Sequence, residues 1–179
     1  MIRLLLLALL AALAAPAGAQ RTNNPGEVSG PVQQGEEREA ERASTVRLPA
    51  QPKAEGLIEF KVSSASSFRF FIDPASVSLE PDREVRYTLV ARSGSGVANV
   101  SYEGIRCAEG RYRIYAYGQD GRWVAQNSDW RNIDTARRWH YELARSYLCP
   151  GGGTILSVAE GLDALRRGGH PNVTIRLGN

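Results

Sequence analysis

The chain has two cysteines, two histidines and one methionine in 179 residues. Two isolated cysteines with no C-x-x-C pair, and only two histidines, make a poor set of metal ligands. H-E-x-x-H, G-x-S-x-G and Walker patterns are absent, so zinc-peptidase, α/β-hydrolase and P-loop readings have no motif to rest on. No metal and no cofactor are expected. Gly151-Gly152-Gly153 follows a helical pattern instead of leading into one, and so reads as a linker. No aromatic and few branched aliphatics fall between Gln20 and Glu55, a stretch rich in Gly, Pro, Gln, Glu, Arg and Ser. Such a segment buries too little apolar surface to offset its ordering entropy. Residues 20–56 are therefore expected to be a disordered polar linker.

What stands before that linker is a leader. Met1-Ile2-Arg3 is short and positive, 4–16 is apolar and rich in Leu and Ala, and Ala17-Gly18-Ala19 fits an A-x-A cleavage site. Residues 1–19 are expected to be a signal peptide, with the mature chain beginning at Gln20. The apolar run falls short of the roughly 20 residues of a comfortable membrane span, and no second one follows, so no transmembrane anchor is expected after cleavage. Loss of Arg3 lowers the formal net charge from +3 to +2. Export and so small a charge argue against nucleic acid as a partner. The partner classes that fit are an anionic envelope polymer or an envelope protein.

Residues 57–179 carry the folding signal. Val85, Tyr87, Leu89 and Ala91 alternate with Arg86, Thr88, Val90 and Arg92, the period of a half-buried strand. Ser93-Gly94-Ser95-Gly96 reverses the chain, and 97–107 returns, with Gly104 marking an expected bulge. Further strands are expected at Ile58 and Phe60, at 68–72 (ended by Asp73-Pro74), at 76–80, at 111–117 and, beyond an Asp120-Gly121 turn, at 122–124. On 111–117 the alternation puts Tyr112, Ile114 and Ala116 on one face and Arg113, Tyr115 and Tyr117 on the other. From Ile133 the period lengthens: Ile133, Ala136, His140, Leu143, Ala144, Tyr147 and Leu148 form a helical stripe, with Asp134 as its N-cap. Ser157 and Glu160 have capping-box spacing ahead of a second helix that closes at Gly168. Residues 172–177 alternate like a last edge strand, the alternative being a frayed tail. The expected fold is α+β: an antiparallel sheet of about five to seven strands, packed by one or two C-terminal helices.

Cys107 and Cys149 are each other's only intrachain partners. A bond between them closes a loop of about 43 residues, worth roughly 4 kcal/mol by chain entropy, and export to an oxidising compartment suits it. The alternative is a reactive or metal-binding thiol.

Candidate chemistry is sparse. Glu103 is a strand-borne carboxylate, costly to bury unless paired. It is the candidate acid–base residue, with His140 or Asp73 assisting. His140 lies on an apolar stripe, where a hydrogen-bonded core histidine is the simpler reading, and Asp73 sits where turn-forming residues sit. Arg86, Arg92, Tyr102, Glu103 and Arg106 are the candidate binding surface, with Arg as anion clamp and Tyr as stacking platform.

The run Tyr102-Glu103-Gly104-Ile105-Arg106-Cys107, with Phe71-Ile72-Asp73, 85–90, Arg92-Ser93, Asn99-Val100-Ser101, Tyr115-Ala116, Trp123, Trp130 and Tyr147-Leu148-Cys149-Pro150, resembles a CNP-one-like family of exported proteobacterial proteins. The resemblance covers roughly 57–165. It implies an exported domain, periplasmic in a Gram-negative bacterium, and no reaction. The expectation is a non-catalytic envelope binding or interaction module, and the alternative is a hydrolase or transferase acting on an envelope polymer.

Overall fold

A computed structural model describes residues 46–62, 66–126 and 128–174. The signal peptide and most of the polar linker expected from the sequence lie outside these residues, as does the end of the expected last strand.

One antiparallel meander forms the body of the protein. Strands β1 (Ile58–Phe60), β2 (Phe68–Leu79), β3 (Val85–Ser93), β4 (Ala98–Arg106), β5 (Arg111–Gln119) and β6 (Arg122–Ala125) pair in chain order. A two-residue β7 (Arg131–Asn132) pairs with the far end of β5. Tight turns enforce this order. The β5–β6 hairpin closes on Asp120 and Gly121, both at positive φ, as a two-residue turn of the primed type requires.

Two irregularities set the faces of the sheet. The expected strand end at Asp73-Pro74 is replaced by a long β2 that continues through Pro74. Its register jumps from Asp73↔Thr88 to Ser78↔Arg86, so the proline sits in a bulge, where no ladder donor is needed. Ser76 bridges the gap: its hydroxyl donates to the Asp73 carbonyl and accepts from the Thr88 N–H, each at 2.7 Å. The second bulge is at Tyr115, not at Gly104. Pairing of β3 with β4 is continuous through Gly104, whereas β4 meets β5 as Tyr102↔Ala116 and then Glu103↔Ile114. The extra residue interrupts the alternation. Tyr112, Ile114 and Tyr117 face one side, while Tyr115 and Ala116 pack together on the other.

The inner face carries the main core, from Phe60, Ile72, Val85, Tyr87, Ile105 and Tyr112. Helix α1 (Arg138–Leu143) covers it, running into a π-helical turn at Ala144–Leu148. A 3-10 turn (Pro150–Gly152) leads to α2 (Val158–Arg167) and a final turn, α3 (Pro171–Thr174). The helical stripe expected from Ile133 begins later: Asp134 accepts the Ala136 and Arg137 N–H groups and holds a turn ahead of α1. Ser157 caps α2 through the Glu160 N–H, and Gly168 ends it at φ 78°. Helix, not strand, follows His170: Pro171 suits a first helical position, and His170 Nδ1 accepts the Asn172 N–H at 3.2 Å. Cys107 and Cys149 are joined, tying the end of β4 to the π turn across a sequence separation of 42.

The outer face has a smaller cluster of Tyr102, Tyr115 and Ala116. Val46 and Leu48, from within the stretch read as linker, pack against it, and the Pro49 carbonyl accepts the Trp123 indole N–H at 2.7 Å.

Candidate functional site

Strand parity puts Tyr87 of β3 opposite Glu103 of β4, and Ser101 two residues from Glu103 on the same face. Helix α1 then lays His140 over them. The Glu103 carboxylate accepts from Ser101 at 2.6 Å, from His140 Nε2 at 2.8 Å and from the Tyr87 hydroxyl at 3.1 Å. Glu103 and His140 are both 2% exposed. Burial alone would push the Glu103 carboxyl up. The adjacent His140 charge and the three donors outweigh it and hold the group below the ordinary carboxylate range. The Tyr87 hydroxyl is pushed well up by its burial and by Glu103.

His140 is fixed on its ring face as well. It stacks on Tyr112 with centroids 3.7 Å apart. With Nε2 committed to Glu103, Nδ1 is the remaining polar atom, buried and without a hydrogen-bond partner among the described residues. It is an N–H donor in the imidazolium and a lone-pair acceptor in the neutral ring.

These groups form the floor of a cavity of about 310 Å³, at the small end of the roughly 300–1,000 Å³ of ligand pockets. Phe68, Phe70, Tyr117 and Trp139 wall it, with Trp139 stacked on Phe70 at 5.6 Å. Arg131 and Arg137 complete the lining. A larger hollow, about 410 Å³, lies against the disulfide. Its ionisable lining is Tyr141 and Arg145, both away from Glu103. Among the described residues no three His, Cys, Asp or Glu side chains are grouped to hold a metal.

The sheet divides the five candidate binding residues. Glu103 is on the inner face, and Arg86, Arg92 and Tyr102 are on the outer one. Arg86 donates to Glu84 at 2.9 Å, and Glu84, 1% exposed, accepts from Tyr115 at 2.7 Å. Arg92 lies over Phe71 at 5.0 Å. Arg106 stands at the strand end over Trp130 at 4.2 Å and beside Asp82 at 3.4 Å. Asp73 pairs with Thr88 on the outer side and closes a local turn through the Ala75 N–H, remote from His140. Of the expected constellation, only Glu103 and His140 come together. Ser101, Tyr87, Trp139, Arg131 and Arg137 join them. Parity on β3 and β4 already aligns Ser101 and Tyr87 with Glu103, and Arg137 lies one turn before His140. The path of the chain from β7 to α1, which brings both arginines to the cavity, has no sequence signal.

The profile of the CNP1-like family matches residues 36–166, most of the chain and every strand of the sheet. The chain belongs to the CNP1-like family. The family match includes both halves of the Glu103–His140 pair and both cysteines. A curated relative, "Cryptic neisserial protein 1" of Neisseria gonorrhoeae (strain ATCC 700825 / FA 1090), is 27% identical over 106 aligned positions, covering 50% of this chain and 52% of the relative. The match thus spans about half of that protein's length. No solved structure matches the chain.

Proposed function

We propose that this CNP1-like protein is an exported, periplasmic binding module of the cell envelope, and that its ligand sits in the cavity over Glu103 and His140. The carrying observation is the buried pair itself: a carboxylate and an imidazole 2.8 Å apart at the floor of an aromatic-walled cavity. Concave apolar sites with a few convergent polar groups are where small ligands bind, and buried ionisable pairs in clefts mark functional sites more often than chance. The leader-like 1–19 segment supports export, and the disulfide suits an oxidising compartment.

The 2.8 Å contact also favours a second reading, a hydrolase or transferase on an envelope polymer with Glu103 as acid–base. The hydrogen bonding weighs against it. Glu103 is saturated by three donors and held ionised, so it is a poor general acid and a weak base near neutrality. Ser101 donates to Glu103 and not to His140, so its hydroxyl faces a carboxylate held below the ordinary range, a weak base, and not the imidazole that would activate it for nucleophilic attack.

The test is tryptophan fluorescence of the oxidised protein titrated with envelope fractions: lipid, glycan and protein. Trp139 lines the cavity, so a ligand there shifts the emission of the wild type and not of a folded Trp139→Phe variant. If no fraction shifts the spectrum, or the shift survives Trp139→Phe, the binding reading fails. Export is checked separately, by cell fractionation and by a mature mass that begins at Gln20.

A further inference from the structure

We propose that the cavity takes a small amphiphile with an apolar chain and a terminal anion, chain inward and anion at the mouth. The inference rests on the binding reading above and adds the class of ligand. The polarity gradient of the cavity carries it. The walls are Phe68, Phe70, Leu89, Ile114 and Trp139, surfaces that favour apolar groups roughly in proportion to the area they remove from water. At the floor the Glu103 carboxylate, 2% exposed, already takes up the His140 charge and the Ser101 and Tyr87 donors, so the deep end holds no unmatched cation for an anionic head.

Cationic charge lies at the other end. Arg131 is exposed and Arg137 half-buried, and neither side chain has a carboxylate or hydrogen-bond partner among the described residues. Arg131 reaches the mouth because β7 pairs it with Tyr112, whose ring faces the cavity. Arg137 arrives from the other side, on the turn that leads into α1. Two guanidinium groups from different elements, unpaired among the described residues, converge on one opening. Their planar forks suit bidentate recognition of a carboxylate or phosphate oxygen pair. A cationic head would meet two like charges there, and an anion carried inward would forgo both arginines for a floor whose cation is already matched by Glu103. The modest volume, about 310 Å³, restricts the chain to medium length.

The experiment is calorimetric titration of the full, oxidised chain with decanoate, decanol, decyltrimethylammonium and acetate, in the wild type and in the Arg131→Gln/Arg137→Gln double variant. Decanoate should bind about tenfold or more tighter than decanol, the size of one or two charge-assisted hydrogen bonds. Acetate and the ammonium compound should not bind measurably. The double variant should lose that tenfold for decanoate and keep its affinity for decanol, which also reports that its cavity is intact. Equal binding of decanoate and decanol overturns the anionic head while leaving the cavity as a binding site. Failure of all four compounds overturns the amphiphile, and the envelope-fraction titration then decides the cavity independently. Arginine-dependent co-sedimentation with phosphatidylglycerol vesicles, without binding of free decanoate, would place the anion on a membrane surface and overturn the free ligand.

Discussion

At the scale of single residues, Glu103 and Gly104 are neighbours with opposite obligations. Glu103 points inward and must keep three donors satisfied. Glu103→Ala leaves His140 Nε2 and two buried hydroxyls without their acceptor, and breaking a buried pair from one side costs about 3–5 kcal/mol. Glu103→Gln keeps one acceptor oxygen and should cost about 1–3 kcal/mol. Urea unfolding midpoints measure both, and equal costs would show that the charge adds nothing to the hydrogen bonds. Gly104 points outward, at the buried Glu84. A Cβ there would lie 2.1 Å from Glu84 Oε1 and 3.0 Å from Tyr115 Cε2. Glu84 cannot yield without losing Arg86 and Tyr115. Gly104→Ala should therefore cost about 3 kcal/mol, the upper range of overpacking, and a smaller Gly104→Ala effect in a Glu84→Ala background would assign the clash to that carboxylate. Glycine at this position is a matter of space, since the β3–β4 ladder runs through it without a bulge.

Among the elements, the π turn at Ala144–Leu148 does what a regular helix could not. The Cys149 N–H donates to the Ala144 carbonyl at 2.7 Å, five residues back, so the extra residue re-aims the end of the helix. Tyr147 and Leu148 stay in the core, the Tyr147 hydroxyl accepts the Lys61 N–H beyond β1 at 3.1 Å, and Cys149 meets Cys107. Cys107→Ala/Cys149→Ala should lower stability by roughly 4 kcal/mol, the loop-closure figure for this separation. Urea unfolding checks this, with reduced wild type expected to match the double variant. The pattern of sequence that leads to these elements is uneven. The β3–β4 hairpin, the Asp120-Gly121 turn, the Ser157 cap and the Cys107–Cys149 bond follow from local chemistry, because two-residue periodicity, turn residues and two cysteines leave little choice. The Tyr115 bulge and the π turn do not, since each inserts one residue into a regular period and is stabilised by partners distant in sequence, Glu84 in one case and Cys107 in the other. The candidate site inherits this division. Glu103 stands out as an acid on a strand and His140 as a polar break in an apolar stripe, but their meeting depends on where α1 lands. The outer-face arginines stand out equally in composition, and the sheet puts them on the other side.

For the molecule as a whole, the buried ionisable groups define two edges of stability in pH. Burial pushes the Glu103 and Glu160 carboxyls up. His140 with two hydroxyls at Glu103, and the Leu156 N–H with His170 at Glu160, outweigh it, and both end below the ordinary value of 4.5. Each binds its proton more weakly in the folded chain than in the unfolded one. Their contribution is thus complete above the ordinary carboxyl range and is lost as pH falls through the lower, folded values. The tyrosines act in the opposite sense. Burial and the adjacent Glu103 raise Tyr87, and burial and Glu84 raise Tyr115, both from the ordinary 10.0. Ionising them in place requires charge beside a buried carboxylate, so their contribution is complete below about pH 10 and is lost as pH rises further. Unfolding free energies from urea titrations should fall below about pH 4.5 and again above about pH 10, with these groups adding no slope between. The acid edge belongs chiefly to Glu103, the more deeply buried of the two carboxyls. In Glu103→Gln the drop from pH 5 to pH 3.5 should shrink while the alkaline edge remains. An acid edge that Glu103→Gln leaves unchanged would show that the buried Glu103–His140 pair does not govern how the fold yields to acid.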